Sequence, residues 1–521
     1  MIKSISNAEL RARFVGHKEF ALIDVREVGD FSRGHLLAAS NLPLSRLELL
    51  IDKTIPCRAT EIVLADRSTA IRATEQLHGL GYQNIISLEG GLSGWALGGG
   101  KLFSGVNVIG KAFGEYIEKN RHTPAMSAAT LKALLESDNP PLLLDTRTPE
   151  EHSDFCIPGA LGCPNGELVF RALAKIESDE QLIVTHCAGR TRSIIGAQAL
   201  IDAGIPNQVI ALENGTLAWQ FEDYELELGA HRPLPPPGID GVESALAAAA
   251  HLRQRFSVPS TDLNTLKQWR ERVDPMTLYV IDVRSTEEFE RGTLTGARHV
   301  AGGQLVQNVD EYLVTRNAHT ILLDSDGVRA TSTAAWLLQL GVQNVYTLTV
   351  ETGKLDDKLN EELTPLQLPL VDPAATQSRL EQGEVLVCDI RRSIDYRRSH
   401  IEGSWFLTRA DIEDALLRMP PALDIALVAD DRRYGALVAA DLERLGRRVN
   451  LLDGGFSAWQ RTGLPVTSGC ELYASEPNDM MFDAGDFDDQ AVNFREGRAY
   501  LEWEIGLVHQ LANDPGAPYA N

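Results

Sequence analysis

The chain has 521 residues, with 73 acidic against 49 basic side chains and a formal net charge of −24. That length exceeds a single core and predicts three or four domains, while the charge repels nucleic-acid phosphates and anionic lipid and so excludes both as expected partners. Six scattered cysteines without a paired spacing argue for a reducing compartment and against zinc. With no N-terminal apolar segment and no apolar run of membrane length, a soluble cytoplasmic protein is expected.

In chain order, the first apolar strand, Leu22-Ile23-Asp24-Val25-Arg26, ends in Asp-x-Arg. The same ending returns in Leu143-Leu144-Asp145-Thr146-Arg147, Val280-Ile281-Asp282-Val283-Arg284 and Val387-Cys388-Asp389-Ile390-Arg391. An acidic or aromatic cluster and a turn follow, as in Asp30-Phe31-Ser32-Arg33-Gly34-His35. Each unit then predicts a second strand, a helix ending at a glycine (Gly81, Gly204, Gly341, Gly446) and a third strand. Three units finish on a Gly/aromatic turn: Gly90-Gly91 to Trp95, Asn214-Gly215 to Trp219, and Gly454-Gly455 to Trp459. The third shows Val350-Glu351-Thr352-Gly353-Lys354 instead. Strands alternating with helices over roughly a hundred residues imply α/β units with a parallel sheet, set out as a row of globular domains rather than a solenoid. The Pro-rich stretch from His231 to Gly238 reads as a semi-rigid linker, with a connecting helix from Ala245. Past the repeats, an acidic stretch from Asp483 to Asp489 leads into a helical pattern near Arg495 to Leu511. Its Tyr500, Leu501, Trp503, Ile505 and Leu507 call for packing on a domain or across a dimer interface.

The second unit holds the chemistry. In Val184-Thr185-His186-Cys187-Ala188-Gly189-Arg190-Thr191-Arg192-Ser193, one cysteine opens a short Gly/Arg loop between an apolar strand and an apolar helix. Backbone N–H groups and the positive helix end converge there, and Arg190 and Arg192 add charge, so Cys187 is expected to be a thiolate of lowered pKa. His186 is expected to be a satisfied strand residue. Cys57, Cys388 and Cys470 default to structural roles, and so do Cys156 and Cys163, although the latter two share the repeat of Cys187 and leave a resolving thiol open. Aligned on the helix-ending glycines, Asp324 takes the place of Cys187 in the third unit. The Asp66 region of the first unit and the Ala429 to Tyr434 segment of the fourth also lack cysteine.

Together, Asp-x-Arg, the turn, the cysteine loop and the closing Gly-Gly-x-x-x-Trp resemble the rhodanese homology domain, in four tandem copies over about nine tenths of the chain. The resemblance implies an α/β fold of four rhodanese-like domains, each a central parallel sheet flanked by helices, plus a C-terminal helical extension. The units run 1–100, 123–230 (catalytic), 257–356 and 369–468, with 469–521 as the extension. It implies a sulfurtransferase of the thiosulfate type, needing no cofactor, in which Cys187 carries sulfane sulfur as a persulfide. Ala188, Gly189, Arg190, Thr191 and Arg192 would form the cradle, with Arg192 closing it and Arg190 facing outward to hold an anionic donor. Asp145 and Arg147 would be framework residues. Thiosulfate or a small persulfide is the expected donor, and cyanide or a thiol the acceptor, with a homodimer or an acceptor protein as further partners.

Two other functions compete. A cysteine phosphatase or arsenate reductase also uses a Cys loop closed by Arg, but with five intervening residues. Only Ala188, Gly189, Arg190 and Thr191 separate Cys187 from Arg192, and Ser193 stands where that arginine would be. A scaffold or sulfur-relay protein would use the three cysteine-less copies to bind partners.

Overall fold

The computed structural model describes residues 2–274, 276–351, 368–421, 424–483, 485–487, 489–511, 514 and 516. The third unit's Thr352-Gly353-Lys354, its boundary at 356, Ala484 and Asp488 of the acidic stretch, and most of 512–521 lie outside the described residues.

The second repeat shows the common plan. Strand Leu142–Asp145 pairs in parallel with Leu161–Gly162 on one side and Ile183–His186 on the other. Val209–Leu212 and Ala125–Met126 continue the sheet outward. All four residues of Leu142–Asp145 and all five of Phe20–Asp24 are buried, as expected of a parallel sheet covered on both faces. The Asp-x-Arg ending does the same work in every copy. The carboxylates of Asp24, Asp145, Asp282 and Asp389 accept from the guanidiniums of Arg26, Arg147, Arg284 and Arg391. Each arginine also donates to a turn carbonyl, that of Gly34, Phe155, Gly292 or Ser399. The pair thereby ties strand to turn.

The repeats interlock rather than follow one another like beads. Thr315–Arg316 of the third adds antiparallel to Phe20–Asp24 of the first. Arg329 of the third reaches Glu167 of the second at 3.0 Å, and Arg409 of the fourth reaches Glu48 of the first at 2.8 Å. One continuous apolar cluster joins Phe113 of the linker helix Val108–Arg121, Ile194 and Ile195 of the second repeat, Leu252 of helix Ile239–Arg255, Trp336 of the third repeat and Leu507 of the C-terminal helix Gln490–Leu511. Burying the apolar stripes of these helices requires neighbouring units to share one core.

Candidate active site

Cys187 follows directly on strand Ile183–His186, and helix Thr191–Asp202 starts four residues later. The closing turn of the repeat holds this loop from behind. Thr216 N–H donates to the Cys187 carbonyl at 2.9 Å and Leu217 N–H to that of Ala188 at 3.1 Å. Gly215 has φ +54°, and a Cβ there would lie 2.2 Å from the Cys187 carbonyl oxygen. Only glycine admits both the left-handed backbone and the close approach, which is why the turn that ends the repeat carries it. Trp219 anchors the turn by donating from its indole to the Glu225 carbonyl, as Trp95 and Trp459 do to Lys101 and Pro465 in their own repeats.

One expectation about the loop arginines needs correction. Arg190 does not face outward. It is 6 % exposed and held by Glu115, at 2.6 and 2.9 Å, and by Glu118, both on the linker helix, with Asn214 at 3.1 Å. Arg192 takes a bidentate contact with Glu151 at 2.6 and 2.8 Å. Glu151 is the third residue of the helix whose N-terminal turn Thr148 caps. In the third repeat Arg329 bonds the corresponding Glu288, so the closing arginine ties the loop to that helix. Charge complementarity claimed both guanidiniums, because a buried arginine without a carboxylate is far costlier than a paired one.

The thiol is correspondingly not lowered. Cys187 is 2 % exposed, and burial pushes its pKa above the ordinary thiol range. Arg192 and the N–H and hydroxyl of Ser193 pull the other way, while Glu504 adds to the push. His186 is not a satisfied strand residue either. It is fully buried, neither ring nitrogen has a hydrogen-bond partner, and its Nε2 lies 3.8 Å from Oδ2 of Asp145, too far for a bond. Burial lowers its pKa to about 4, so it is neutral near pH 7. Asp145 and Arg147 are completely buried, with His152 Nδ1 at 3.0 Å from Asp145. Although burial pushes the Asp145 carboxyl up, His186, His152 and Arg147 together hold it well below the usual carboxylate range. The pair is therefore a buried ion pair and not a weak surface contact. Burial also raises the thiols of Cys156 and Cys163, away from the reactive thiolate form.

The side chains above the loop come from outside the repeat, and nothing in the local sequence announces them. The C-terminal helix lies across the site, where a Cβ on Gly189 would stand 3.4 Å from the Tyr500 ring, 3.6 Å from Glu504 Oε2 and 3.8 Å from Leu501. Thr191 Oγ1 donates to Glu504 Oε1. Lys111 of the linker helix places its ammonium 5.2 Å from the ring centres of Tyr500 and Trp503. The signal available beforehand was the i, i+4 spacing of Tyr500 and Glu504 and the i, i+3 spacing of Glu115 and Glu118, each on one helix face. A groove of about 400 Å³ beside the site is walled by Glu115, Glu118, Arg190, Glu213, Ile505 and His509, among others. A cleft of about 1290 Å³ runs along the first repeat and does not reach the Cys187 loop.

Strand register identifies the counterparts of Cys187. Asp145 pairs with His186, Asp282 with Leu323, and Asp389 with Val428, while Ile23 pairs with Leu64. The next position is Cys187 in the second repeat, Asp324 in the third and Ala429 in the fourth. Extending the first repeat's ladder by one step puts Asp66 there. Asp324 is buried and accepts from the Ala330 N–H at 2.9 Å and the Thr349 hydroxyl at 3.0 Å.

Comparison with known proteins accords with this geometry. The rhodanese-like domain family matches residues 6–97, 127–222, 262–350 and 372–462. A crystal structure described as thiosulfate sulfurtransferase from Pseudomonas aeruginosa superposes with a TM-score of 0.91, at 38 % identity, covering 99 % of either chain. The uncharacterized protein YqhL of Bacillus subtilis is 32 % identical over 102 residues, which are 20 % of this chain and 76 % of YqhL. An HTH-type transcriptional regulator of Mycobacterium tuberculosis is 36 % identical over 98 residues, 18 % of this chain and 42 % of that protein. With four matched domains, the Asp-x-Arg frame in each and a neighbour alike from end to end, the chain belongs to the rhodanese family.

Proposed function

We propose that the protein is a sulfurtransferase that carries sulfane sulfur as a persulfide on Cys187, taking it from thiosulfate or a small persulfide and passing it to cyanide or a thiol. The observation that carries this reading is the register. Of four equivalent loop starts, those at 66, 324 and 429 hold Asp, Asp and Ala, and Cys187 alone offers a sulfur nucleophile. In loading, the Cys187 thiolate attacks the outer sulfur of the donor, the donor S–S bond breaks, and the leaving group departs with the electron pair. In discharge, the acceptor's lone pair takes that sulfur and the thiolate is regenerated. Ala188 to Arg192 are the cradle, and Asp145 with Arg147 hold the strand end that aims it. The units 1–100, 257–356 and 369–468 are catalytically silent and frame 123–230, and of the extension 469–521 the helix Gln490–Leu511 lies over the loop. Six free cysteines suit a reducing, cytoplasmic setting, and among the described residues no helix is long and apolar enough to cross a membrane.

The test is intact-protein mass spectrometry of wild type and Cys187→Ala after thiosulfate, glutathione persulfide or mercaptopyruvate. A gain of one sulfur atom in wild type only is expected. No gain with any donor on a folded protein would sink the reading.

A further inference from the structure

The carboxylate of Glu504 is fully buried above the Cys187 loop, and half of it has nothing to do. Oε1 accepts the Thr191 hydroxyl, whereas Oε2 has no hydrogen-bond partner and comes within 3.6 Å of the space a Cβ would fill on Gly189, two residues after Cys187. Stranding a carboxylate oxygen costs folding energy, and a site retains such a group when a bound molecule completes it. What it would accept is a hydrogen-bond donor, an S–H or O–H carried by the substrate. It would repel a dianion.

The remaining charges agree. Both loop arginines already have carboxylates, Arg190 those of Glu115 and Glu118 and Arg192 that of Glu151. The charged walls of the neighbouring groove are Glu115, Glu118 and Glu213 against Lys119 and Arg190, with His509 beside them. The Lys111 ammonium lies over the Tyr500 and Trp503 rings. Tyr500 shares the buried space, its hydroxyl held protonated by burial and by the adjoining Glu504 charge.

We propose that Glu504 is a catalytic residue of this site, taking the proton of Cys187 as its sulfur attacks and delivering it to a departing thiolate, so that the preferred donor is a thiol persulfide, R–S–SH, rather than thiosulfate. This rests on the sulfurtransferase reading above. The Cys187 Sγ lone pair bonds to the outer sulfur of R–S–SH, and the S–S bond to R–S breaks with its electron pair on R–S. The Cys187 proton passes to Oε2 and on to R–S, which leaves Cys187–S–SH and R–SH with no external oxidant or reductant. With thiosulfate the Cys187 proton must still be taken up, but none need be delivered, because sulfite is a weakly basic leaving group.

The experiment is single-turnover loading of full-length wild type and Glu504→Gln, followed by intact mass, with glutathione persulfide and with thiosulfate at one pH. Glu504→Gln is expected to slow loading from glutathione persulfide by at least about a hundredfold, the low end of what a positioned proton-transfer group contributes, and to slow loading from thiosulfate by clearly less, because there a proton is taken from Cys187 but none is delivered to the leaving group. The thiosulfate arm reports in the same sample that fold and nucleophile are intact. Glu504→Asp, which keeps the charge but withdraws it, should show the same split in smaller measure. An equal fall with both donors, or no fall with the persulfide, overturns the role. Wild type loading faster from thiosulfate than from glutathione persulfide overturns the donor preference and leaves the sulfurtransferase standing. Loading from neither overturns both.

Discussion

His186 offers a quantitative test, because its buried neutral ring sets how the protein responds to acid. Its pKa falls from an ordinary 6.5 to about 4 in the folded state. Between those values the unfolded chain binds a proton that the native chain refuses, so stability is lost as pH falls from 6.5 toward 4 and is fully present above 6.5. At about 1.36 kcal/mol per pH unit the whole window is worth about 3.4 kcal/mol, of which about 2.5 kcal/mol is lost by pH 4.5. His186→Leu removes the titration. With an unfolding entropy of about 2.1 cal/mol/K per residue, a cooperative transition of this chain moves by about 2 °C for that energy. The assay is thermal unfolding of both proteins at pH 7.5 and 4.5. The variant should lose about 2 °C less than wild type between the two pH values. At pH 7.5 it should be as stable as wild type or more so, since two unpartnered ring nitrogens leave the interior. An identical acid loss in both proteins would refute the reasoning, and so would a variant crippled at pH 7.5.

Asp145→Ala strands the Arg147 guanidinium in the interior, and removing one member of a buried pair costs about 3–5 kcal/mol. Its thermal midpoint should therefore fall by about 3–5 °C, and a shift below about 1 °C would mean that water reaches the arginine. Because burial raises the Cys187 thiol, its reactive fraction should grow with pH. Alkylation of Cys187 by iodoacetamide, followed by peptide mass, is expected to show a midpoint above about 9. A midpoint near 7 would restore the electropositive loop argued from sequence.

The frame of the protein was legible residue by residue. Asp-x-Arg recurs because one local pair, two residues apart, joins each strand end to the following turn, and a contact that short leaves a mark in sequence. The same holds for Gly215 and Trp219, whose spacing records how closely the closing turn approaches the loop. Fold, repeat number, the position of Cys187 and its Asp324 counterpart were legible in such local patterns together with strand periodicity, whereas Asp66 and Ala429 were placed by strand register. The electrostatics of the site were not. A sequence counts Arg190 and Arg192 as two positive charges, but Glu115 and Glu118 come from a linker helix, Glu151 from a capped turn and Glu504 from a helix more than 300 residues away in the chain. Charges act over a few ångströms in space whatever their separation in sequence, and burial sets their strength. Only the tertiary structure, by laying the C-terminal helix over the loop, decided that Cys187 is enclosed, its arginines spoken for, and one oxygen of the Glu504 carboxylate left without a partner above it.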